Sequence, residues 1–214
     1  EKLYWEDRLV EHLDIADDHN LSNVPLQFPP QVFRQANLDA FTKIINKIRS
    51  WLKKQSARKL NSLELYGGVG TIGLHLVDLL ESLTSSDENP FNKDCFETTV
   101  TALQVQKPKC KCSISYESKN ATDMVLTQNA LDDADLVIVD PPRKGLDEEV
   151  VQELCRTNGA GPSRLIYVSC GFDAFRRDFD NLTVTGQWKL DHAEGHVLFP
   201  GSDAIETLAF FTRE

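Results

Sequence analysis

Two side chains, a cysteine and a glutamate, are the candidates for covalent chemistry in this sequence. Cys170 stands in Ser169-Cys170-Gly171, between the apolar run 165–168 and a stretch in which Phe172, Phe175, Phe179 and Leu182 recur at helical spacing. A helix N-terminus favours a thiolate, so the sequence predicts ionisation below the roughly 8.5 of a free thiol, the state of an activated nucleophile. The other reading of Cys170 is a buried, inert thiol. Glu206, near the start of the last predicted strand, reads by itself as a solvated carboxylate at a strand edge. Together, a thiolate that adds to an electron-poor ring and a carboxylate that removes a ring proton are what substitution at an unreactive ring carbon requires.

A second constellation is Glu64-Leu65-Tyr66-Gly67-Gly68-Val69-Gly70, which ends a predicted strand in a sharp turn where the backbone can approach a ligand. Its spacing is not the G-x-G-x-x-G of dinucleotide sites. An acidic residue ahead of the glycines disfavours a phosphate and suits a cationic amine. S-adenosylmethionine carries an ammonium and a sulfonium and no phosphate. Asp87, in Ser86-Asp87-Glu88-Asn89-Pro90, is placed to accept ribose hydroxyls at the end of the next strand. A tight strand-to-helix turn without a ligand is the alternative for both features. Asp140-Pro141-Pro142-Arg143 follows the most apolar strand. Asp-Pro-Pro recurs among enzymes that methylate base amines, where an aromatic residue comes next; Arg143 in that place counts against amine chemistry. Carbon 5 of a uracil needs instead a nucleophile at carbon 6 and a base for the carbon 5 proton, and Cys170 and Glu206 supply that pair.

The elements that must position these groups alternate along the chain. Residues 1–36 hold Asp14, Asp17 and Asp18, then Pro25, Pro29 and Pro30, and are predicted as an extended lead-in packing over the domain. From Asn37, the recurrence of Leu38, Phe41, Ile45, Ile48 and Leu52 predicts a helix with one apolar stripe. There follow a strand over 62–66, a helix carrying Ile72, Leu76, Leu79, Leu80 and Leu83, and a weak strand ending at Asp87. A helix with Phe96, Val100 and Leu103, a strand over 112–116 and the buried-type strand Leu136–Val139 come next. A helix around 150–155, a strand over 165–168, the helix beginning near Phe172 and a terminal antiparallel pair at 188–192 and 207–211 complete the reading. Such alternation predicts an α/β fold, a parallel sheet covered by helices on both faces.

Composition bounds the function. The 214 residues suffice for one well-cored α/β domain, and 41% hydrophobic with 26% charged residues excludes a disordered or fibrous chain. There is no run of about 18 apolar residues to cross a membrane. A net charge of −10 counts against a strongly basic grip on nucleic acid, but not against a nucleic-acid substrate held by segments elsewhere. Cys95, Cys110, Cys112, Cys155 and Cys170 are an odd number at irregular spacing, which predicts reduced thiols and an intracellular protein. Cys110-x-Cys112 has no matching second pair, so no metal site is predicted. No basic-then-apolar leader follows Glu1, and the chain reads as a piece of a longer polypeptide.

Five motifs stand in a telling order: Phe33-Arg34-Gln35-Ala36-Asn37, the turn from Glu64 to Gly73, Asp140-Pro141-Pro142-Arg143-Lys144-Gly145, Tyr167-Val168-Ser169-Cys170, and Phe199-Pro200 ahead of Glu206. Over about residues 28–214 they resemble the RNA uracil-5 methyltransferases, the S-adenosylmethionine-dependent makers of 5-methyluridine in tRNA and rRNA. The resemblance implies a Rossmann-like class I methyltransferase fold over 37–214, a mostly parallel seven-stranded sheet ending in an antiparallel pair. It implies Cys170 as nucleophile and Glu206 as the base, with Gln35, Glu64, Gly67, Gly68, Gly70, Asp87 and Asp140 lining the methyl-donor and base pocket. Gln35 alone would read as a polar residue ahead of a helix. Arg143 and Lys144 read equally as contacts to RNA phosphate or as a solvated turn.

The chain also departs from the family pattern. Gly171-Phe172 replaces the usual Asn-Pro after the cysteine, Ala204-Ile205 stands where the base usually follows His-Val or His-Leu, and Gly67 replaces a frequent Cys. Family proteins also carry an N-terminal oligonucleotide-binding barrel and often a central RNA-binding insert. Neither lies within these residues, so the RNA partner is expected to be gripped mainly by segments outside them. Two rival functions stay open: a donor-binding scaffold or RNA-interaction module without turnover, and methylation of cytosine or guanine.

Overall fold

The computed structural model describes residues 8–55, 58–127, 130–156, 161–202 and 204–213. Within them β1 (Leu9–Glu11), α1 (His19–Ser22), β2 (Leu26–Phe28) and α2 (Leu38–Gln55) come first. Then follow β3 (Leu60–Leu65), β4 (Leu80–Ser86), α3 (Asn92–Gln106), β5 (Ser113–Glu117), α4 (Ala121–Thr127), β6 (Leu136–Val139) and α5 (Glu148–Leu154). The last elements are β7 (Arg164–Ser169), α6 (Phe172–Val184), β8 (Lys189–His196) and β9 (Glu206–Thr212). Seven strands form one sheet in the order β5-β4-β3-β6-β7-β9-β8. The first five run parallel, and β9 lies antiparallel between β7 and β8. The fold is therefore α/β, with a mainly parallel seven-stranded sheet and a C-terminal antiparallel pair.

Burial on both faces explains why the central strands are apolar without alternation. All four residues of β6 are fully buried, those at 136 and 138 facing the α2–α3 side and those at 137 and 139 facing the α4–α6 side. The chain leaves β3 for β4 and β5 on one side, then returns to β6 on the other, so the strand order reverses between β3 and β6. Ligands in open α/β sheets bind beyond the carboxyl ends of strands at such a reversal.

The α2 reading holds in detail. The Asn37 side chain caps the helix by accepting from the Ala40 N–H at 3.0 Å, and Phe41, Ile45, Ile48 and Leu52 are buried along one stripe. Arg49 on that stripe is buried too, donating to Asp17 and Asp78 carboxylates and to the His75 carbonyl at 2.6–2.8 Å.

Two elements differ from the sequence reading. The helix expected through Ile72, Leu76, Leu79, Leu80 and Leu83 is only a 3-10 turn, Gly73–Leu76, and Leu80 already pairs with Leu60 in the sheet. The spacing misleads because a register shift in β4, after Leu80, lets Leu80 and Leu83 both enter the same core, imitating a helical face. The lead-in is not merely extended. Residues 9–28 form the antiparallel β1–β2 pair and one helical turn capped by Asp18, and bury Leu13, Ile15, Leu21, Val24 and Leu26 in the α2–α3 core. Residues 1–7 of the lead-in lie outside the described residues.

Candidate active site

Every loop at the strand reversal contributes to one cleft of about 800 Å³, within the size range of small-molecule sites. Gln35, Glu64, Gly67, Gly68, Asp87, Asp140, Cys170 and Glu206 all line it. Gly70 does not. It lies behind the turn, where an added Cβ would meet the Phe96 ring at 2.6 Å, so its part is to let the turn pack on α3.

The turn after β3 is held from several sides. Gly67 N–H donates to the Ser86 carbonyl at 2.8 Å, and Gly68 N–H donates to Asp87 Oδ2 at 3.0 Å. Gly68 has φ +55°, a conformation costly for residues with a side chain, and a Cβ there would meet nothing within 4 Å. Tyr66 adopts φ 57° despite its side chain; its hydroxyl donates to Asp147 Oδ2 at 3.0 Å and so anchors the strained position. Glu64 is 2% exposed, its Oε1 accepting from Gly73 N–H at 2.7 Å and its Oε2 from Ser85 Oγ–H at 2.6 Å. Both oxygens thus serve the protein, and towards a bound cation Glu64 can act only through its field or a further lone pair. Burial pushes its carboxyl up to about 7.

Opposite the turn stand the groups at the ends of β6, β7 and β9. Asp140 follows β6, and burial together with the Glu206 and Glu64 carboxylates holds it well above the usual carboxylate range. Cys170 follows β7 and is half-buried. Its thiol lies above the ordinary value, not below it: burial dominates, and the Glu206 and Asp140 carboxylates add to it. The sequence expectation of a lowered thiol is therefore corrected. A helix terminus offers about half a positive charge, which desolvation and two nearby carboxylates outweigh.

Glu206 is not a solvated edge carboxylate. It is 6% exposed, its Oε1 has no hydrogen-bond partner among the described residues, and burial pushes it up to about 7. The reason is topological. The β7–β9 ladder pairs Ser169 with Thr207, so one further step places Cys170 opposite Glu206. Residues far apart in sequence converge because β9 is inserted between β7 and the edge strand.

The Asp140–Arg143 loop is fitted against Cys170 by Gly171. A Cβ at position 171 would fall well inside contact with the Arg143 carbonyl oxygen and 3.2 Å from its carbonyl carbon. Gly171→Ala should therefore displace this loop and cost about 1–3 kcal/mol. Urea unfolding checks the figure, and an unchanged midpoint would show that the loop yields freely. Lys144 pairs with Asp147 at 2.5 Å, whereas Arg143 is exposed on the rim. Asn37 donates to the Leu198 carbonyl at 2.9 Å, tying the Phe33–Asn37 segment to the Phe199-Pro200 turn on the cleft's far wall.

Asn120, Ala121 and Thr122 also line the cleft, and the sequence reading missed them along with α4. The available signal was Asn120 itself, whose side chain accepts from Asp123 N–H at 2.7 Å as a helix cap does. The wall as a whole is acidic, with Glu64, Asp87, Asp140 and Glu206 converging. That lining fits a ligand bearing positive charge and hydroxyl groups. Among the described residues no group of three or more His, Cys, Asp or Glu side chains could hold a metal ion, and no helix is long and apolar enough to cross a membrane.

Comparison with known proteins decides the family. The tRNA (Uracil-5-)-methyltransferase family profile matches residues 2–213. The chain belongs to the tRNA (uracil-5-)-methyltransferase family. Within curated proteins it is 37% identical over 213 residues to an uncharacterized RNA methyltransferase of Protochlamydia amoebophila, covering 100% of this chain and 50% of that protein. It is 26% identical over 197 residues to the 23S rRNA (uracil(747)-C(5))-methyltransferase RlmC of Shewanella amazonensis, covering 92% and 48%. The chain thus spans about half the length of these relatives. A family fold of known structure, the Pyrococcus abyssi tRNA (uracil-54, C5)-methyltransferase in complex with S-adenosyl-L-homocysteine, superposes with a TM-score of 0.70 at 24% identity, covering 98% of this chain and 45% of that one.

Proposed function

We propose that this chain is the catalytic portion of an S-adenosylmethionine-dependent RNA methyltransferase that methylates carbon 5 of a uridine in tRNA or rRNA through a Cys170 adduct. The observation that supports this reading is that Cys170 and Glu206, one step beyond the Ser169–Thr207 pair of the β7–β9 ladder, both line one acidic cleft. When bound, S-adenosylmethionine supplies an electrophilic methyl group, and its positive charge favours ionisation of a nearby thiol. Asp87 is placed to accept ribose hydroxyls while holding Gly68 N–H, and Gly67 and Gly68 let the backbone approach the donor. Gln35 and Asp140, also on the cleft lining, would face the base. Cys170, as the thiolate left once its proton has passed to water in the cleft, bonds through sulfur to carbon 6, and the ring's electron pair moves to carbon 5, which takes the methyl group. Glu206 then removes the carbon 5 hydrogen as a proton. The C–H pair forms the C5=C6 double bond, and the sulfur–carbon bond breaks with its electrons left on Cys170.

RNA grip comes from parts of the protein beyond this chain, consistent with the net charge of −10 and with relatives twice its length. Residues 37–214 form the methyltransferase domain, with the lead-in packed on it, and the five free thiols suit an intracellular site. A second reading, donor binding without turnover, draws on the raised Cys170 thiol. One experiment separates them. Transcripts of tRNA and 23S rRNA containing 5-fluorouridine, mixed with protein and S-adenosylmethionine, should yield a covalent complex on denaturing gels, and Cys170→Ala should yield none. Donor binding by calorimetry with no complex would favour the scaffold, and carbon 5 methylation by Cys170→Ala at the wild-type rate would overturn the covalent mechanism.

A further inference from the structure

Glu206 has a neighbour on each side. Cys170 lies one step beyond the last pair of the β7–β9 ladder, and on the β8–β9 ladder the Cα partner of Glu206 is His196. Directly paired residues of antiparallel strands project to the same face with Cβ atoms about 4.5–5.5 Å apart; Glu206 Oε1 has no hydrogen-bond partner among the described residues, so the step between Glu206 and His196 is one that a bridging water would span. Beyond the register shift at Leu190/His192 the alternation of β8 is regular, so His192, Glu194 and His196 share that face. They are joined: His196 Nε2 lies 3.0 Å from Glu194 Oε1, and His192 Nε2 lies 3.0 Å from Glu194 Oε2. Exposure rises along the row, with side chains 16% exposed at His196, 22% at Glu194 and 52% at His192. The row thus leads from the buried carboxylate to bulk water. Ahead of Glu206 in the chain stand Ala204 and Ile205, which carry no ionisable side chain.

We propose that His196, backed by Glu194 and His192, is the group that returns Glu206 to its carboxylate form after each turnover. The inference rests on the reading of Glu206 as the base. Consumption of a cationic methyl donor to give a neutral product releases one proton per turnover, and Glu206 receives it from carbon 5. The proton passes from the Glu206 carboxyl through a bridging water to Nδ1 of His196, whose imidazolium the Glu194 carboxylate balances at Nε2. From there it leaves to water along the exposed His192 end. The charged groups facing this row are Glu206 on β9, with Cys170 and Asp140 beyond it, and Lys47 of α2, 3.5 Å from Glu194. The neighbouring imidazoles and Lys47 hold the Glu194 carboxyl below its ordinary value, so it persists as the balancing anion. His196 is a positioning and relay residue, not one that touches the substrate.

A fluorine at carbon 5 leaves no proton to remove, so adduct capture needs Glu206 and the relay for nothing, whereas turnover needs both. His196→Ala should capture 5-fluorouridine tRNA or 23S rRNA transcripts at the wild-type rate. On ordinary transcripts labelled with tritium at carbon 5, kcat should fall about 10²-fold with KM unchanged, and added imidazole should restore part of it. His196→Gln, which keeps bulk and polarity, should behave like the alanine variant. Wild-type turnover in either variant overturns the relay while leaving the covalent mechanism standing. So does loss of capture equal to loss of turnover, which would mark His196 as merely structural. Absence of any adduct with the wild-type protein overturns the covalent mechanism and the relay together.

Discussion

Glu206→Gln should arrest the reaction at the methylated adduct, with turnover on uridine-containing RNA down by about 10²–10⁴-fold while Cys170-linked RNA accumulates on denaturing gels. Glutamine keeps the shape and the strand position but cannot take the carbon 5 proton, so the sulfur cannot leave. The same substitution should stabilise the fold at alkaline pH. Burial raises the Glu206 carboxyl from 4.5 to about 7, so the folded state holds its proton more tightly than the unfolded chain does. Stability from this group is complete below pH 4.5 and is lost as pH rises through 7. At about 1.36 kcal/mol per unit, the ionised carboxylate costs the wild-type fold about 3 kcal/mol above that range. The Tm of Glu206→Gln relative to wild type should therefore be higher at pH 8 and converge with it at pH 4. Normal turnover by the variant would assign proton removal to another group, and a Tm difference independent of pH would show that Glu206 does not titrate as its burial requires.

Asp178→Ala should be the most damaging change outside the cleft, at about 3–5 kcal/mol in urea unfolding. Asp178 of α6 is buried, its Oδ2 accepting from Leu146 N–H at 2.9 Å and Tyr167 O–H at 2.7 Å, and its Oδ1 from Arg177 at 2.8 Å. Truncation leaves a buried amide and a buried hydroxyl unpaired, each costing about 1–3 kcal/mol. The exposed Arg177 adds little, since its guanidinium reaches water. Leu146 follows the Asp140–Gly145 loop, and Arg177 also donates to the Lys144 carbonyl at 2.9 Å, so α6 clamps the loop that faces Cys170. The variant should accordingly lose donor affinity as well as stability, which calorimetry can measure on the folded fraction. A loss under 1 kcal/mol would mean that water replaces the carboxylate and that the loop is held by other contacts.

The strands and helices were legible wherever local pattern and burial agreed. β6 and α2 follow from an unbroken apolar run and a single stripe, and Asn37 marks the helix start. Legibility failed at Leu80 and Leu83, where a shifted register gives a strand the spacing of a helix, and at α4, whose short length left only its cap as a signal. In the lead-in, prolines suggested extended chain, while the alternating burial of Leu26 and Phe28 in a strand pair depends on α3 lying beneath them.

The motif residues themselves, their order and the family were written in the sequence, because residue identity and short-range spacing need no coordinates. Their electrostatic states were not. A thiol at a helix start is expected to ionise readily, yet Cys170 lies among carboxylates that approach from β6 and β9, and desolvation there reverses the sign. Glu206 looks like an edge residue until β8 pairs beside β9 as the edge strand, and only that pairing supplies its second neighbour, His196. Burial and cross-strand pairing arise from segments distant along the chain, and the free energy of a charge depends on that surrounding, so tertiary structure alone decided how tightly Glu206 holds a proton and which side chains stand beside it.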